Sequence, residues 1–404
     1  MQREEKSKSV KRGLTLLRIG WFFNNFLLMM PVVVLIFGQK GVTIGDFFLI
    51  HAICRISAFI FEIPSGYMSD CLSRKRVMIA GGIFAFTGFA TLAMAYGFWG
   101  LILGESLLGV SSALFSGTLE AYTYDLLKRN RTQKQFIKEY GNIQSCATTA
   151  IFIASILGGF LFAYAGANAL LWIEALFAAF AIFAFLFLPE LLEIRRKVKH
   201  KDAIVDALSI TTSTLKKPKL RNLIIFPSLF AAFTNVIFWT MQPIMETAAV
   251  PVALFGLFTG LNQLSSIFFA KYAYKICDKL GEIKVSLISI GTIVIGITMG
   301  LLATHINCMP LIYVACVVMA ISVSIRQLND LQYYTLIHHS IESKERGTVL
   351  STRAMVSTAL GAIFLGTAKF LMDGYGITTM LICLFGATIL LGISLKNIAK
   401  QINK

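Results

Sequence analysis

The chain has 404 residues, of which 56% are hydrophobic and 14% are charged, and its formal net charge at pH 7 is +16. Soluble domains carry about 25% charged residues, so this chain has too few polar groups to cover a surface that faces water. The composition excludes an ordinary soluble protein and indicates a chain that exposes much of its surface to lipid.

Twelve apolar segments follow one another along the chain, each close to the roughly 20 residues that cross a bilayer as a helix. The first follows a basic N-terminus and lacks a small-residue cleavage site, so it predicts a spanning helix rather than a cleaved leader. We predict transmembrane helices at residues 14–37, 43–66, 77–97, 99–122, 140–163, 168–188, 222–245, 250–275, 284–304, 310–334, 347–371 and 376–396.

The longest polar stretch divides the predicted helices into two groups of six. We therefore expect an all-α integral membrane protein with a six-helix bundle in residues 1–188, a basic cytoplasmic linker in 189–221 and a second six-helix bundle in 222–404. Within the linker, residues 202–215 predict either an amphipathic helix on the inner membrane face or a flexible connection.

All but four of the 37 lysines and arginines lie at the termini or in alternate loops. Because cytoplasmic loops are enriched in these residues, both termini are predicted to be cytoplasmic, with the protein in the inner membrane. The basic charge then faces the anionic lipids of the inner leaflet, and no nucleic-acid partner is expected. The exceptions are Lys40, Arg55, Arg326 and Lys369.

The two groups of helices share sequence features at a constant offset of 208 positions. Asp70 follows the second predicted helix and Asp278 follows the eighth, while Gly158 lies in the fifth and Gly366 in the eleventh. A common offset near half the chain length predicts a duplicated six-helix unit, an arrangement known from transporters. The glycines of the fifth and eleventh predicted helices are expected to let neighbouring helices approach closely: Gly141, Gly158, Gly159, Gly361 and Gly366.

A polar motif after the second predicted helix resembles the cytoplasmic loop signature of the major facilitator superfamily. It reads Gly66-Tyr-Met-Ser-Asp70-Cys-Leu-Ser73-Arg74-Lys75-Arg76. Segments 61–65, 116–125 and 346–351 look like the bacterial branch of that family, and the chain as a whole resembles its efflux proteins. The resemblance implies twelve helices in two pseudo-symmetric bundles, a monomer, and alternating access to a site near the middle of the membrane.

The loop motif carries a first functional hypothesis. Asp70 is expected to accept N–H bonds from the N-terminus of a neighbouring helix, and Arg74 to pair with Asp125 at the inner end of the fourth predicted helix. Together with Gly66 and Lys75, these residues are predicted to form a latch that controls opening of the cytoplasmic side. The alternative is a solvated basic loop that only sets the topology.

Charged residues inside predicted spans are costly to bury and therefore mark candidate functional sites. At 100° per residue, Glu105 and Glu120 lie on one narrow stripe of the fourth helix. Arg55 lies near the middle of the second helix. Glu105 is predicted to exchange protons or to attract a cationic substrate, and the alternative is a structural ion pair with Arg55.

Other spans add polar candidates. In the tenth helix, Arg326 and Asp330 are four residues apart and are predicted to pair, either for binding or for gating. Asn25 in the first helix, together with Asn235 and Gln242 in the seventh, is expected to bond a polar substrate or a neighbouring helix.

These features predict a secondary active transporter that moves a small polar or amphipathic molecule, coupled to protons and in the direction of export. The alternatives are an uptake transporter and a nontransporting sensor with a transporter fold. An enzyme is not expected, because the sequence shows no clustered nucleophile, base or metal ligands. No metal or cofactor is expected either, since the seven cysteines are scattered and no phosphate-binding glycine loop is present.

Overall fold

The computed structural model describes residues 2–191, 212–305, 308–340 and 346–402. It is about 90% helical, and those residues contain no strand. In lipid each backbone N–H and C=O must pair within its own segment, which is why the long apolar runs form helices. The predicted all-α membrane fold is confirmed, while the helix predicted within the linker lies mostly outside the described residues.

The helices are numbered here in chain order. Before the linker, the described residues form α1 (Gln2–Asn24), α2 (Val33–Gln39), α3 (Ile44–Cys71), α4 (Arg74–Met94), α5 (Gly97–Phe115), α6 (Thr118–Lys128) and α7 (Phe136–Leu186). After it they form α8 (Pro218–Thr247), α9 (Phe255–Leu280), α10 (Glu282–His305), α11 (Met309–Ser324), α12 (Arg326–Ser340) and α13 (Arg346–Ile402).

Within the described residues, nine helical segments are long and apolar enough to cross a membrane, judged by length and composition. The two longest contain a sharp break, at Gly166 in α7 (φ 78°, ψ 177°) and at Gly376 in α13 (φ 77°, ψ 177°). That backbone conformation is essentially restricted to glycine. Each of these long helices therefore contains two straight segments, and the exact count of twelve spans stays a prediction.

Two apolar segments are interrupted at equivalent points of the sequence. An interruption at Gly117 (φ 67°) separates α5 from α6, and one at Ile325 separates α11 from α12. The two positions are 208 residues apart, which is the offset of the predicted repeat. The repeated interruption supports the predicted duplication. A further interruption, over residues 25–32, separates α1 from α2.

The chain divides into two compact units that do not coincide with the predicted domains. The first unit contains the chain up to Met30 and the stretch from Ile53 to the linker. The second contains Pro31–Ala52 together with the chain after the linker. The segment with α2 and the start of α3 therefore packs with helices of the second half of the sequence, and α3 runs from one unit into the other.

Packing in the first unit depends on aromatic side chains and on close helix crossings. Tyr122 and Phe185 are fully buried in a core that α1, α6 and α7 build together. The helices α4 and α5 cross where Gly88 faces Gly104, and a Cβ on Gly88 would lie 3.1 Å from the Gly104 carbonyl oxygen. These glycines let two backbones touch, which brings the polar residues of α5 into the interior.

Candidate functional site

The loop motif joins α3 to α4. Ser73 caps α4, because its hydroxyl accepts the Arg76 N–H at 3.4 Å. Arg74 forms an ion pair with Asp125 on α6 and also donates to the Ala121 carbonyl at 3.3 Å. The predicted contact between Arg74 and Asp125 is therefore present in the first unit.

The other residues of the motif lie nearby along the chain. Lys75 lies 3.8 Å from the carboxylate of Glu190, and a side chain added at Gly66 would meet no atom within 4 Å. Asp70 lies at the end of α3, and its side chain is outside the described part of the structure. The latch role of this motif stays a prediction.

Glu105 lies on α5 and is 2% exposed. The Cys54 thiol on α3 is hydrogen-bonded to the Glu105 carboxyl group, and the charge of the adjacent Arg55 acts on the same thiol. The close approach of α3 and α5 depends on Gly109, where a Cβ would collide with the Cys54 carbonyl oxygen. The Cys54 thiol thus lies against Glu105, and Arg55 directly follows Cys54 on α3.

Glu120 does not share that site. The predicted stripe from Glu105 to Glu120 is interrupted, because the backbone turns at Gly117 between α5 and α6. Glu120 lies exposed in the first turn of α6. At the same break, the Ser116 hydroxyl donates to the Glu62 carboxylate at 2.7 Å, so Glu62 rather than Glu105 is the acid beside it.

Glu174, on the second segment of α7, is a buried acid that sequence reasoning missed. It is 1% exposed, and its Oε1 accepts the Met29 N–H at 2.5 Å. The Leu28 N–H also donates to it, and the charge of Glu105 acts on it. The signal that could have found it is a lone acid in the middle of the apolar run 168–188.

The interruption between α1 and α2 explains these contacts. A broken helix leaves backbone N–H groups without a carbonyl partner in the preceding turn, and a carboxylate or amide oxygen can replace it. Glu174 does so for Leu28 and Met29 in the first unit. In the second unit, the Gln242 side-chain oxygen on α8 accepts the Val34 N–H at 3.0 Å.

The other side-chain amides predicted as candidates differ in their hydrogen bonding: one bonds within its own helix, and another has an oxygen without a partner in the described part of the chain. The Asn25 side chain donates to the Trp21 carbonyl at 2.8 Å, which closes the last turn of α1. Asn235 on α8 has a buried side-chain oxygen without a hydrogen-bond partner among the described residues. Asn25 and Gln242 therefore contact backbone at the ends of helices, whereas Asn235 keeps an acceptor available.

The second unit carries a cationic cluster at the break before α12. Arg326 is the first residue of α12, and its Nε donates to Asp330 at 3.3 Å, as predicted. Arg353 on α13 donates to the other oxygen of Asp330 at 2.7 Å. Sequence reasoning treated Arg353 only as a topology signal. Two arginines thus share one carboxylate, which leaves one net positive charge.

A second ion cluster lies at the start of α3. The Lys369 ammonium group lies 2.6 Å from Asp46 and 2.9 Å from Asp373. Asp46 and Thr43 cap α3 reciprocally, with the Asp46 N–H donating to the Thr43 hydroxyl at 3.0 Å. Gly45 allows the approach, because a Cβ there would collide with the Asp373 carboxylate. These residues were not predicted from the sequence.

A cavity of about 580 Å³ opens between α9 and α12 in the second unit. Its lining includes Asp278, the repeat counterpart of Asp70, together with Glu282 and Gln332. Nowhere in the described ranges are three or more His, Cys, Asp or Glu side chains placed to hold a metal ion.

Long apolar helices, helix breaks at repeated positions and charges buried between helices define a polytopic membrane protein. The sequence profile of the Major Facilitator Superfamily matches residues 14–366, so the chain belongs to that family. The family recognition from the loop motif is confirmed.

Curated relatives match only part of the chain. An uncharacterized transporter of Buchnera aphidicola is 31% identical over 32% of this chain and 33% of its own length. The inner membrane transport protein YajR of Escherichia coli is 30% identical over 35% of this chain and 28% of its own. The lysophospholipid transporter LplT of Photorhabdus laumondii is 30% identical over 35% and 34%. Each match thus spans about a third of the relative's length.

Solved structures resemble the chain over nearly its full length. The nucleoside transporter NupG superimposes with a TM-score of 0.78 at 14% identity, covering 96% of this chain and 99% of that one. A POT family transporter superimposes with a TM-score of 0.76 at 14% identity, covering 97% of each chain. At such low identity the likeness establishes the fold alone.

Proposed function

We propose that this protein is a secondary active transporter that exports a small polar or amphipathic molecule across the cytoplasmic membrane, driven by protons through alternating access. Membership of the Major Facilitator Superfamily supports membrane transport of a small molecule. The positive charge of the loops supports an inner-membrane location with cytoplasmic termini.

The observation that carries the proposal is the buried site of Glu105, Cys54 and Arg55. An ionisable side chain inside a membrane protein is costly, and it persists where it takes part in binding or proton transfer. Glu105 is 2% exposed, and Gly109 on the same helix lets α3 pack closely against α5. In this proposal the acidic site around Glu105 takes up a proton or binds a cationic group of the substrate.

The cationic cluster of the second unit supports a substrate with anionic character. Arg326 and Arg353 share the carboxylate of Asp330, so two guanidinium groups face one carboxylate among the described residues. The Arg326 side chain is 40% exposed, which leaves its guanidinium group accessible. A guanidinium group binds carboxylates and phosphates in a bidentate geometry, so a zwitterionic or anionic small molecule suits this cluster.

The first experiment identifies the cargo. Medium and cell extract of a deletion strain are compared with those of its parent by untargeted mass spectrometry. We expect a compound that is missing from the mutant medium and enriched inside mutant cells, with both effects reversed by the wild-type gene. A compound left unconsumed in the mutant medium would make the protein an importer and overturn the proposed direction.

The second step tests proton coupling with that compound in proteoliposomes. An acidic interior should drive its uptake in exchange for protons, and Glu105→Gln should abolish this uptake while leaving the protein in the membrane. Glu190→Gln, at an exposed carboxylate, is the matched control. If transport by the wild-type protein does not depend on the pH gradient, the proposed proton coupling is wrong.

A further inference from the structure

Glu174 is held by backbone groups rather than by a charged partner. Its Oε1 accepts the Met29 N–H at 2.5 Å, and the Leu28 N–H donates to the same carboxyl group. Its Oε2 is buried and has no hydrogen-bond partner among the described residues. A buried ionised carboxylate without a charged partner is costly, and a bound proton removes its negative charge.

A second carboxylate acts on Glu174. The negative charge of Glu105 on α5 acts on it, and the donors that face it are the backbone N–H groups of Leu28 and Met29. Two interacting carboxylates in an apolar interior disfavour each other's ionised form, so one bound proton lowers the electrostatic cost of the pair.

Among the described residues, no charged group on α1, α4 or α6, the helices that pack on α7, acts on Glu174. On α4, residues 77–94 include no titratable side chain. On α1, Arg18 is paired with Glu139 at the far end of α7, and on α6 Asp125 is paired with Arg74. The charged side chain that acts on Glu174 is therefore Glu105 on α5.

We propose that Glu174 is the proton-carrying residue of this transporter and that it positions the interrupted first span. This inference rests on the proton coupling proposed above. On protonation a proton binds Oε2 and the carboxylate becomes a neutral carboxylic acid, while Oε1 stays turned towards Leu28 and Met29. On deprotonation the proton leaves Oε2, and the negative charge returns to the group that caps the broken helix.

The two protonation states hold the first span with different strength. Hydrogen bonds from N–H groups to an ionised carboxylate are shorter and about twice as strong as bonds to a neutral acceptor. Deprotonation therefore tightens the contact with Leu28 and Met29, and protonation loosens it. A proton at Glu174 is thereby coupled to the break between α1 and α2.

The first test measures proton binding without any substrate. Infrared difference spectra of the full-length protein in lipid nanodiscs are recorded between acidic and alkaline pH, with protons as the only ligand. The wild type should show the carboxylic acid band of a buried group that titrates. Glu174→Gln should lose this band, and Glu190→Gln, at an exposed carboxylate beside Lys75, should keep it.

The second test measures the positioning role by amide hydrogen exchange of the peptide containing Leu28 and Met29. Glu174→Gln keeps an oxygen acceptor but cannot titrate, whereas Glu174→Ala removes the acceptor. At one fixed alkaline pH, exchange should be slowest in the wild type, faster in Glu174→Gln and roughly tenfold faster again in Glu174→Ala. Equal exchange in all three proteins would overturn the positioning role.

The infrared outcomes separate this inference from the proposed function. If the band persists in Glu174→Gln and disappears in Glu105→Gln, the proton resides on Glu105 and the assignment to Glu174 is wrong, while proton coupling survives. If the wild type shows no titrating carboxyl group at all, the inference and the proton coupling both fail. If the band is lost in Glu174→Gln and kept in Glu105→Gln, the inference is supported.

Discussion

In the first unit two buried carboxylates, Glu105 and Glu174, act on each other, whereas in the second unit two arginines share the carboxylate of Asp330. The backbones of the two units are nevertheless built alike. Both have an interrupted helix at positions 208 residues apart, and both have a glycine break with nearly identical backbone angles.

The contrast shows that duplication has kept the helix breaks while the charged side chains diverged. A break in a helix places polar backbone groups inside the membrane, and such a place suits binding whatever side chains surround it. The repeat therefore predicts where sites lie in each unit. The side chains decide whether that site favours a proton, a cation or an anion.

The largest expected effect tests the cationic cluster. Asp330→Asn should lower the stability of the protein by about 2–3 kcal/mol, because charge-assisted hydrogen bonds to Arg326 and Arg353 are lost and two like charges remain together. Thermal unfolding in detergent, followed by tryptophan fluorescence, measures the change. Asp278→Asn is the matched control, since its carboxylate lies at the edge of the cavity of the same unit.

A loss below about 0.5 kcal/mol in Asp330→Asn would mean that the cluster behaves as a solvated surface pair. The second unit would then carry two separate arginines rather than one shared cationic site. The contrast with the acidic site of the first unit would lose its structural basis.

A smaller effect is expected at the two glycine breaks, where the units should behave alike. Gly166→Ala and Gly376→Ala should each cost about 1–3 kcal/mol, because a Cβ is strained at these backbone angles. No atom lies within 4 Å of either added Cβ, so the cost comes from the backbone and not from a clash. Melting temperatures of both variants measure it.

The matched controls are Gly141→Ala in α7 and Gly366→Ala in α13. Within the described part of the structure a Cβ at either position also meets no atom within 4 Å, so the close helix approach predicted at these two glycines is not found there. Both positions are helical, so alanine should be neutral or stabilise the protein by up to about 1 kcal/mol. If Gly166→Ala and Gly376→Ala lower the melting temperature by different amounts, the two breaks are not equivalent.

Much of the fold could be predicted from local patterns. The apolar runs and the alternation of basic loops depend on nearby residues only, and the pairing of Arg74 with Asp125 follows from a motif with known spacing. In the same way Arg326 and Asp330 lie four residues apart on one helix, so their contact could be predicted without a tertiary structure.

The parts that could not be predicted depend on contacts across the sequence. The apolar run from Leu14 to Phe37 predicts one continuous span. The helix can be interrupted there because the Glu174 carboxylate accepts the Met29 N–H in place of a backbone carbonyl, and these two residues are 145 positions apart. The contact between Lys369 and Asp46 joins positions 323 residues apart. No local period in the sequence encodes either pairing.

The smallest expected effect concerns the charges at the start of α3. Lys369→Met removes both ion pairs of Lys369, and it should cost under about 1 kcal/mol, because these side chains are partly exposed and screened. Asp46→Asn should cost more than Asp373→Asn, since Asp46 also accepts the Thr43 N–H at 3.4 Å and caps α3. The melting temperatures of the three variants at low and high salt test this order.

High salt should narrow the difference between the wild type and Lys369→Met, because exposed charges are screened within about 10 Å at 0.1 M ionic strength. The side chains of the Asp330 cluster are 15–40% exposed and those of the Lys369 cluster are 22–42% exposed, so the stabilities of both clusters should respond to salt to a similar degree. A much weaker response of the Asp330 cluster would mean that its ion pairs are shielded from solvent ions despite this exposure, and that the helix break excludes salt where the helix end does not.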